Sequence, residues 1–318
     1  MSRTVVPGRV QKNSLSAFVN KADKDFKKNW VLYLMVLPVI AYYIIFHYLP
    51  MYGIQIGFKD FNIAKGYMGS PWVGLKYFQQ FFESFYFWRV LRNTLMISIY
   101  ELIFGFPAAI IFALLLNEVK NRRFKKYVQT ISYMPHFISA VVICGIILNF
   151  CVSDGLINDV IALFGWERSS LLQDMRNFRT IYIASGIWQN MGFSSIIYFS
   201  AISAVDQELY QAAIVDGANR FRQVWHITLP SIKPTIVILL ILSMGSLLSV
   251  GFEKIILLYN PATYEVADVI SSHVYRMGLQ KLNWSYGAAV GLFNSVANLI
   301  LLILANRISR KVSEVSLW

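Results

Sequence analysis

The 318-residue sequence predicts an all-α, polytopic membrane protein. Three observations carry that expectation. Hydrophobic residues make up 56% of the chain against 14% charged, mean hydropathy is +0.50, and long apolar runs recur along the sequence. A soluble core of this size would require amphipathic patterns with polar faces, whereas several of these runs are apolar all round, as helices buried in lipid are.

Six segments reach the roughly 20 apolar residues a spanning helix needs. They lie near 31–56, 93–117, 127–150, 180–203, 235–258 and 286–306. They define a transmembrane domain over 31–306, a tail over 1–30, a connector over 204–234 and a second tail over 307–318. The first run starts behind a polar, lysine-rich stretch and is too long for a signal-peptide core, so it is expected to stay as an anchor. The fifth and sixth runs, with "TIVILLILSMGSLLSV" and "NLILLILANR", are mostly aliphatic. The fourth, "TIYIASGIWQNMGFSSIIYFSAIS", is rich in small and polar residues and is expected to face protein or a pore.

Lysine and arginine near the spans set orientation. Lys21, Lys24, Lys27 and Lys28 precede the first span; Lys120, Arg122, Arg123, Lys125 and Lys126 sit in the second connector. Arg220, Arg222 and Lys233 sit in the fourth, and Arg307, Arg310 and Lys311 follow the last span. These segments are expected in the cytoplasm, with both termini inside. The net charge of +12 is then a topology signal and not a nucleic-acid footprint. The loop "GSPWVGLKYFQQFFESFYFWRVLRNTL", residues 69–95, is aromatic and expected outside. It reads as an interfacial helix with Trp72, Tyr77, Phe81, Phe85 and Trp88 at headgroup depth, or as a surface that stacks sugar or docks a partner.

Catalytic constellations are missing. The sequence holds no HExxH, no metal-type cysteine pairs and no GxSxG, and its histidines, His47, His136, His226 and His273, are scattered. His136 reads as structural. Cys144 and Cys151 would be separated by about 10 Å of helical rise, too far for a disulfide, and read as packing residues. Ionisable groups within spans are few: Glu101, Glu253 and Lys254, whose signs allow local pairing rather than a proton relay. No GxxxxGK[ST] is present, so any ATP-driven work requires a partner.

The connector "DQELYQAAIVDGANRFRQVWHITLPSIKP", residues 206–234, is unusually ordered for a loop. Asp206 is a plausible N-cap with Glu208 in the first turn. Ile214, Ala218, Phe221 and Trp225 fall on one arc of a helix, with Asp216, Arg220 and Gln223 opposite, facing water or phosphates. Gly217 costs about 1 kcal/mol relative to alanine inside a helix, which implies a sharp turn or a close backbone approach. Leu229-Pro230 is expected to end the element, since a residue before proline is pushed out of the helical region.

The order Gln211-Ala212-Ala213, then Asp216-Gly217-Ala218, then Ile227-x-Leu229-Pro230 resembles the EAA motif of binding-protein-dependent ABC importer permeases, with the type I importer (MetI-like) fold. That family usually has glutamate where Gln211 stands. "LPVIAYYIIFHYLPMYGIQIGFKDFN" and "GSPWVGLKYFQQFF" are similar to its oligosaccharide and polysaccharide branch, the LplB-type permeases of Gram-positive bacteria. The resemblance implies a non-enzymatic transport subunit for a carbohydrate, with the connector as a coupling helix. It implies a second homologous permease, two ATPase subunits carrying ATP and Mg, and an extracellular solute-binding lipoprotein as partners, with no cofactor or metal in this chain. Rigid-body switching between inward-open and outward-open states would follow. Coupling would fall to Gln211, Ala212, Ala213, Asp216, Gly217, Ala218, Ile227, Leu229 and Pro230. Substrate contacts would come from Trp188, Gln189, Asn190, Ser194, Ser243, Ser246 and Ser249, for which helix–helix hydrogen bonding is the structural alternative. A polytopic enzyme acting on lipid-linked sugars and an ion-coupled carrier are the competing readings.

Overall fold

The computed structural model describes the backbone of residues 14–313 and 315–317 and the side chains from Lys24 onward. The expected tails therefore lie partly outside the described residues, at 1–13, Glu314 and Trp318, as does the Lys21 side chain. Among the described residues, extended pairing is limited to one antiparallel bridge between Lys59 and Trp72. The remaining regular structure is helical.

The chain divides into two compact units, Met1–Gln55 and Ile56–Trp318. The first contains α1, Ser14–Tyr43, so helix begins well before the expected span. It bends at Asn29, which leaves helical geometry at φ −116°, ψ 22°. Asp25 accepts hydrogen bonds there from Asn29 Nδ2 at 2.8 Å and Tyr33 Oη at 2.5 Å.

In the second unit the helices that position the site are α2 (Lys76–Phe82), α3 (Phe87–Tyr100), α4 (Phe106–Glu118), α5 (Arg122–Tyr133), α6 (Ala140–Cys151), α7 (Met175–Ser203), α8 (Gln207–Val215), α9 (Leu229–Gly245), α10 (Phe252–Leu258), α11 (Ile270–Val274) and α12 (Trp284–Ser313). Among the described residues, five stretches are long and apolar enough to cross a membrane: Lys24–Phe58, Phe87–Glu118, Ala140–Leu163, Arg220–Gly245 and Trp284–Ser313. α7, where the fourth span was expected, has 29 residues but is not among them. Its serines, glycines, Gln189 and Asn190 lower its hydropathy.

Three sequence expectations give way here. The expected span at 127–150 is not one helix: α5 stops at Tyr133, a 3-10 turn covers Met134–Phe137, and α6 begins at Ala140, opening the stretch Ala140–Leu163 that is long and apolar enough to cross. The expected span at 235–258 is not one helix: α9 stops at Gly245, residues 246–251 are irregular, and α10 resumes at Phe252. Nor does Leu229-Pro230 stop a helix. Leu229 is helical at φ −61°, ψ −45°, and a π-helical turn over Val224–Thr228 joins the short helix Arg220–Gln223 to α9. The same arrangement recurs where a π turn at Glu101–Gly105 precedes Pro107 and another at Ile44–Tyr48 precedes Pro50. A proline ring clashes with the carbonyl four residues back; a widened turn moves that carbonyl aside, so the helix bends instead of ending.

Three apolar clusters bind the second unit. One joins Ile97, Ile143, Cys144, Ile147, Phe178, Tyr182 and Ile255; both cysteines are free and buried. A second packs Tyr77 and Phe81 of α2, with Phe87 and Val90, against Tyr286, Ala289 and Val290 of α12. The aromatic loop is thus split: Tyr77 and Phe81 are core, while Trp72, Phe85 and Trp88 are exposed. The third joins Ala109 and Ala113 of α4 to Tyr198, Ile202 and Ile232.

Between α10 and α12 the chain is held by a buried charge cluster. Asp268 is fully buried and accepts from Arg276 at 2.6 and 3.1 Å, from Arg89 at 3.5 Å and from Ser272 Oγ at 2.8 Å. Asn93 Nδ2 of α3 donates to the carbonyls of Glu265 and Asp268, and Arg179 of α7 donates to Asn93 Oδ1 at 2.8 Å. Asp268→Ala would leave two arginines without their shared counter-charge and is expected to cost about 3 kcal/mol or more, read as a lower Tm of the purified protein in detergent.

His273 is buried beside this cluster and hydrogen-bonds Tyr286 Oη through Nε2 at 2.9 Å. Burial pushes its imidazole down to about 4; Asp268 opposes the shift, and Arg276, Arg89 and Lys281 reinforce it. Below its usual pKa the unfolded chain takes up a proton that the folded chain refuses. The stability it supports is therefore complete above about pH 6.5 and falls as pH drops toward 4. The pH dependence of Tm over that range is expected to flatten in His273→Gln.

Candidate functional site

The break between α9 and α10 leaves peptide groups without helical partners, and other helices supply them. Asn298 of α12 accepts from the Leu248 amide at 2.9 Å and donates from Nδ2 to Ser249 Oγ at 3.0 Å. Ser98 of α3 donates to the Leu247 carbonyl, and Ser271 of α11 donates to that of Val250 at 3.0 Å. Irregular backbone at membrane depth survives only where protein encloses it or a cavity adjoins it.

A cavity does adjoin it. About 740 Å³ is enclosed by α3, the π turn at Glu101, α4, α7, α9 and the break. Its wall includes Phe106, Phe193 and Tyr198 together with Ser98, Glu101, Asn190, Ser194, Ser243, Ser246 and Ser249. A smaller cavity of about 220 Å³ shares Glu101, Gly186, Asn190 and Ser249 and adds Tyr182, Gln189, Gly251 and Lys254. Of the seven residues expected to touch substrate, Asn190, Ser194, Ser243, Ser246 and Ser249 line the larger cavity, and Gln189 lines the smaller. Trp188 lines neither and is 49% exposed. Several of these groups also make intramolecular bonds: Ser243 Oγ donates to the Leu239 carbonyl at 2.8 Å, and Asn190 Nδ2 to that of Gly186 at 3.1 Å.

Sequence reasoning passed over part of the wall. His136 stacks on Phe193 with centroids 4.0 Å apart and planes 4° from parallel, and its Nδ1 lies 3.0 Å from Asn190 Oδ1. It thus holds two lining residues. α5 reaches α7 because Gly192 has no side chain; a Cβ there would stand 2.1 Å from the Ser132 carbonyl oxygen. The small residues of this span pointed to a close helix approach, although Gly192 itself was not singled out. Lys254 also departs from expectation: it forms no ion pair within 4 Å with Glu253 or Glu101 and turns into the smaller cavity.

The connector is built by local chemistry. Asp206 caps α8, accepting from the Glu208 amide at 2.9 Å. At the far end Gly217 adopts φ +75°, the Gly217 amide bonds the Ile214 carbonyl at 3.1 Å, and the Ala218 amide bonds that of Ala213 at 2.8 Å. This is a Schellman stop, and it decides between the two roles open to Gly217: a turn is required, while no atom lies within 4 Å of a Cβ there. Asn219 then caps the next turn, accepting from the Arg222 amide at 2.9 Å.

The turn splits the arc expected from helical spacing. Gln223 is buried, not water-facing, and donates to the Ala218 carbonyl at 2.9 Å. Tyr210 Oη meets Thr228 Oγ1 at 2.9 Å, which closes the loop on itself. Ile214, Val215, Phe221 and Trp225 remain exposed, the last two stacked with centroids 6.4 Å apart. Gln211, Ala212, Asp216, Gly217 and Pro230 are also exposed, and Ala213, Ala218, Ile227 and Leu229 are half-buried. Arg220 approaches Glu118 at the end of α4 at 3.9 Å. Among the described residues no group of His, Cys, Asp and Glu could hold a metal ion.

Apolar helices around a cavity lined by hydroxyls, amides and aromatic rings, continuous with a solvent-exposed connector, define the membrane subunit of a transporter. The chain belongs to the family described as binding-protein-dependent transport system inner membrane component, which matches residues 105–314. It is 45% identical to protein LplB of Bacillus subtilis (strain 168) over 92% of both chains. It is 46% identical to the polygalacturonan/rhamnogalacturonan transport system permease protein YteP of the same organism, over 90% of both. A chain of a bacterial ABC transporter that imports the acidic polysaccharide alginate superposes with a TM-score of 0.85 at 44% identity, over 92% of this chain and 99% of that one. That transporter has also been solved with a periplasmic protein carrying alginate pentasaccharide. The chain is therefore a multi-pass transport subunit and not itself an enzyme.

Gly192→Val is expected to force α5 off α7 and to destabilise the protein by about 1–3 kcal/mol, the usual range for overpacking, measured as a fall in Tm.

Proposed function

We propose that the chain forms part of the path by which an ATP-driven importer moves an oligosaccharide or polysaccharide fragment across a bacterial plasma membrane. The observation that carries the reading is the cavity: aromatic side chains line it together with the amide and hydroxyl groups that hydrogen-bond sugar hydroxyls, and two of its wall helices, α7 and α9, lead into the connector. The names of the similar proteins, which concern polygalacturonan, rhamnogalacturonan and alginate, support a carbohydrate. A second, homologous permease completes the path, two ATPase subunits carry ATP and Mg, and an extracellular lipoprotein delivers the solute. Both termini and the 204–234 connector face the cytoplasm.

In this reading the exposed surface of the connector, with Gln211, Ala212, Asp216, Gly217 and the Phe221–Trp225 stack, seats in a cleft of the ATPase. α8 and the bent helix running from Arg220 to α9 then convey ATPase closure to the cavity wall. Ala213, Ala218, Ile227 and Leu229 pack the connector's inner side, and Pro230 fixes the bend. Capture of this chain from its native membrane should bring down a permease, an ATPase and a binding protein together. Its recovery alone, with turnover of a lipid-linked sugar or ion-driven transport, would defeat the reading.

Gly217 gives the finer test. Gly217→Asn retains access to left-handed geometry and is expected to keep most uptake, whereas Gly217→Val strains the turn by about 1–3 kcal/mol and should lower both ATPase association and uptake. Membrane insertion should be unchanged in both. Equal uptake by the two variants would show that the turn does not govern coupling.

A further inference from the structure

Among the described residues, Glu101 and Lys254 are the only charged ones lining the two adjoining cavities. They face the same space, yet no ion pair within 4 Å joins them. Lys254 Nζ is held in place. It donates to the Tyr182 carbonyl at 2.9 Å and lies 4.6 Å from the centroid of the Tyr182 ring. Gly186 adjoins it, and a Cβ there would stand 3.4 Å from the ammonium, an ordinary contact. An ammonium has three donors, and the Tyr182 carbonyl takes one. Glu101 sits on the π turn between α3 and α4 and lines both cavities.

A charged side chain inside a membrane helix bundle is costly and is retained where it serves a pathway. The site offers a fixed cation with donors to spare and, across the space, an anion with acceptors to spare. A neutral sugar would surround the ammonium without supplying its counter-charge. A uronic acid supplies both halves: a carboxylate for Lys254 and vicinal hydroxyls that donate to Glu101. The amides of Gln189 and Asn190 and the Ser249 hydroxyl lie along the same wall.

We propose that Lys254 is the anion-binding group of the translocation path and that the cargo is a uronate-containing oligosaccharide. This rests on the importer reading above and narrows it to a charge class. Tyr182 acts as the positioning residue for the ammonium, and Glu101 selects for hydroxyls beside the carboxylate.

The test uses the permease pair with its ATPase in nanodiscs, without the binding protein, so that only the path selects. The probes are galacturonate trisaccharide and its methyl ester, which has the same size and no charge. The wild type is expected to bind the acid at least tenfold more tightly than the ester. Lys254→Met should abolish that preference, and Lys254→Arg should restore it. Equal affinity of the wild type for the two probes would overturn the proposal, as would an unchanged preference in Lys254→Met. Should Lys254→Met not assemble, the wild-type comparison and Lys254→Arg decide alone. The importer reading is judged separately, by uptake into proteoliposomes with the binding protein present: uptake of neutral but not acidic saccharides sinks the uronate assignment only, and ATP-dependent uptake of no saccharide sinks both.

Discussion

A peptide group set free inside an apolar bundle has no water to turn to, and leaving it unpaired costs several kcal/mol. The break at residues 246–251 meets that constraint with side chains from three different helices: Ser98, Ser271 and Asn298. Each bond does two things at once. It satisfies a stranded backbone group, and it fixes α3, α11 and α12 around the space where α9 gives way to α10. The larger cavity lies against this break because the helix that would have filled it is interrupted there.

The same logic explains why polar groups gather around the opening. α7 carries the least lipophilic of the expected spans, and its Gly186, Asn190 and Ser194 meet the cavity. On another face Gly192 admits the backbone of α5, and His136 clamps Asn190 and Phe193. One helix therefore spends its small residues on close packing and its amides on the cavity. It then runs into the connector, whose second arm returns through a π turn to Leu239, Leu242 and Ser243 on the opposite wall. Connector and cavity are thus joined by two helical paths, a geometry suited to rigid-body switching.

Much of this could be read from local chemistry. Asp206 announced a cap and Gly217 either a turn or a close backbone approach; the cap and the turn that form depend on groups within a few residues. The polar character of the fourth span pointed toward an enclosed space for the same reason, since its composition is written in one segment. Other features could not be read in this way. Leu229-Pro230 carries the usual stop signal, but a π turn absorbs it; the choice between bending and ending is made by packing. Gln223 falls on the polar side of an ideal helix, yet the Schellman turn changes the chain direction before it, and it ends up buried. Lys254 stands next to Glu253 in sequence but turns toward Tyr182, which lies 72 positions away.

The sequence by itself determined the membrane-spanning character, the family motif of the connector and the residue types available for a polar path. Those follow from apolar run length, from glycine and proline at set spacings, and from hydroxyls and amides where lipid would disfavour them. Only the tertiary structure decided where a span breaks, which polar residues meet the cavity and which pair with one another, and how two unlike charges come to face one space without joining. Each of these depends on partners distant in the chain: Asn298 for the break, Tyr182 for Lys254, and Arg89, Arg179 and Arg276 for the segment around Asp268. Side-chain spacing shows the face on which a residue stands, but only packing shows what stands opposite.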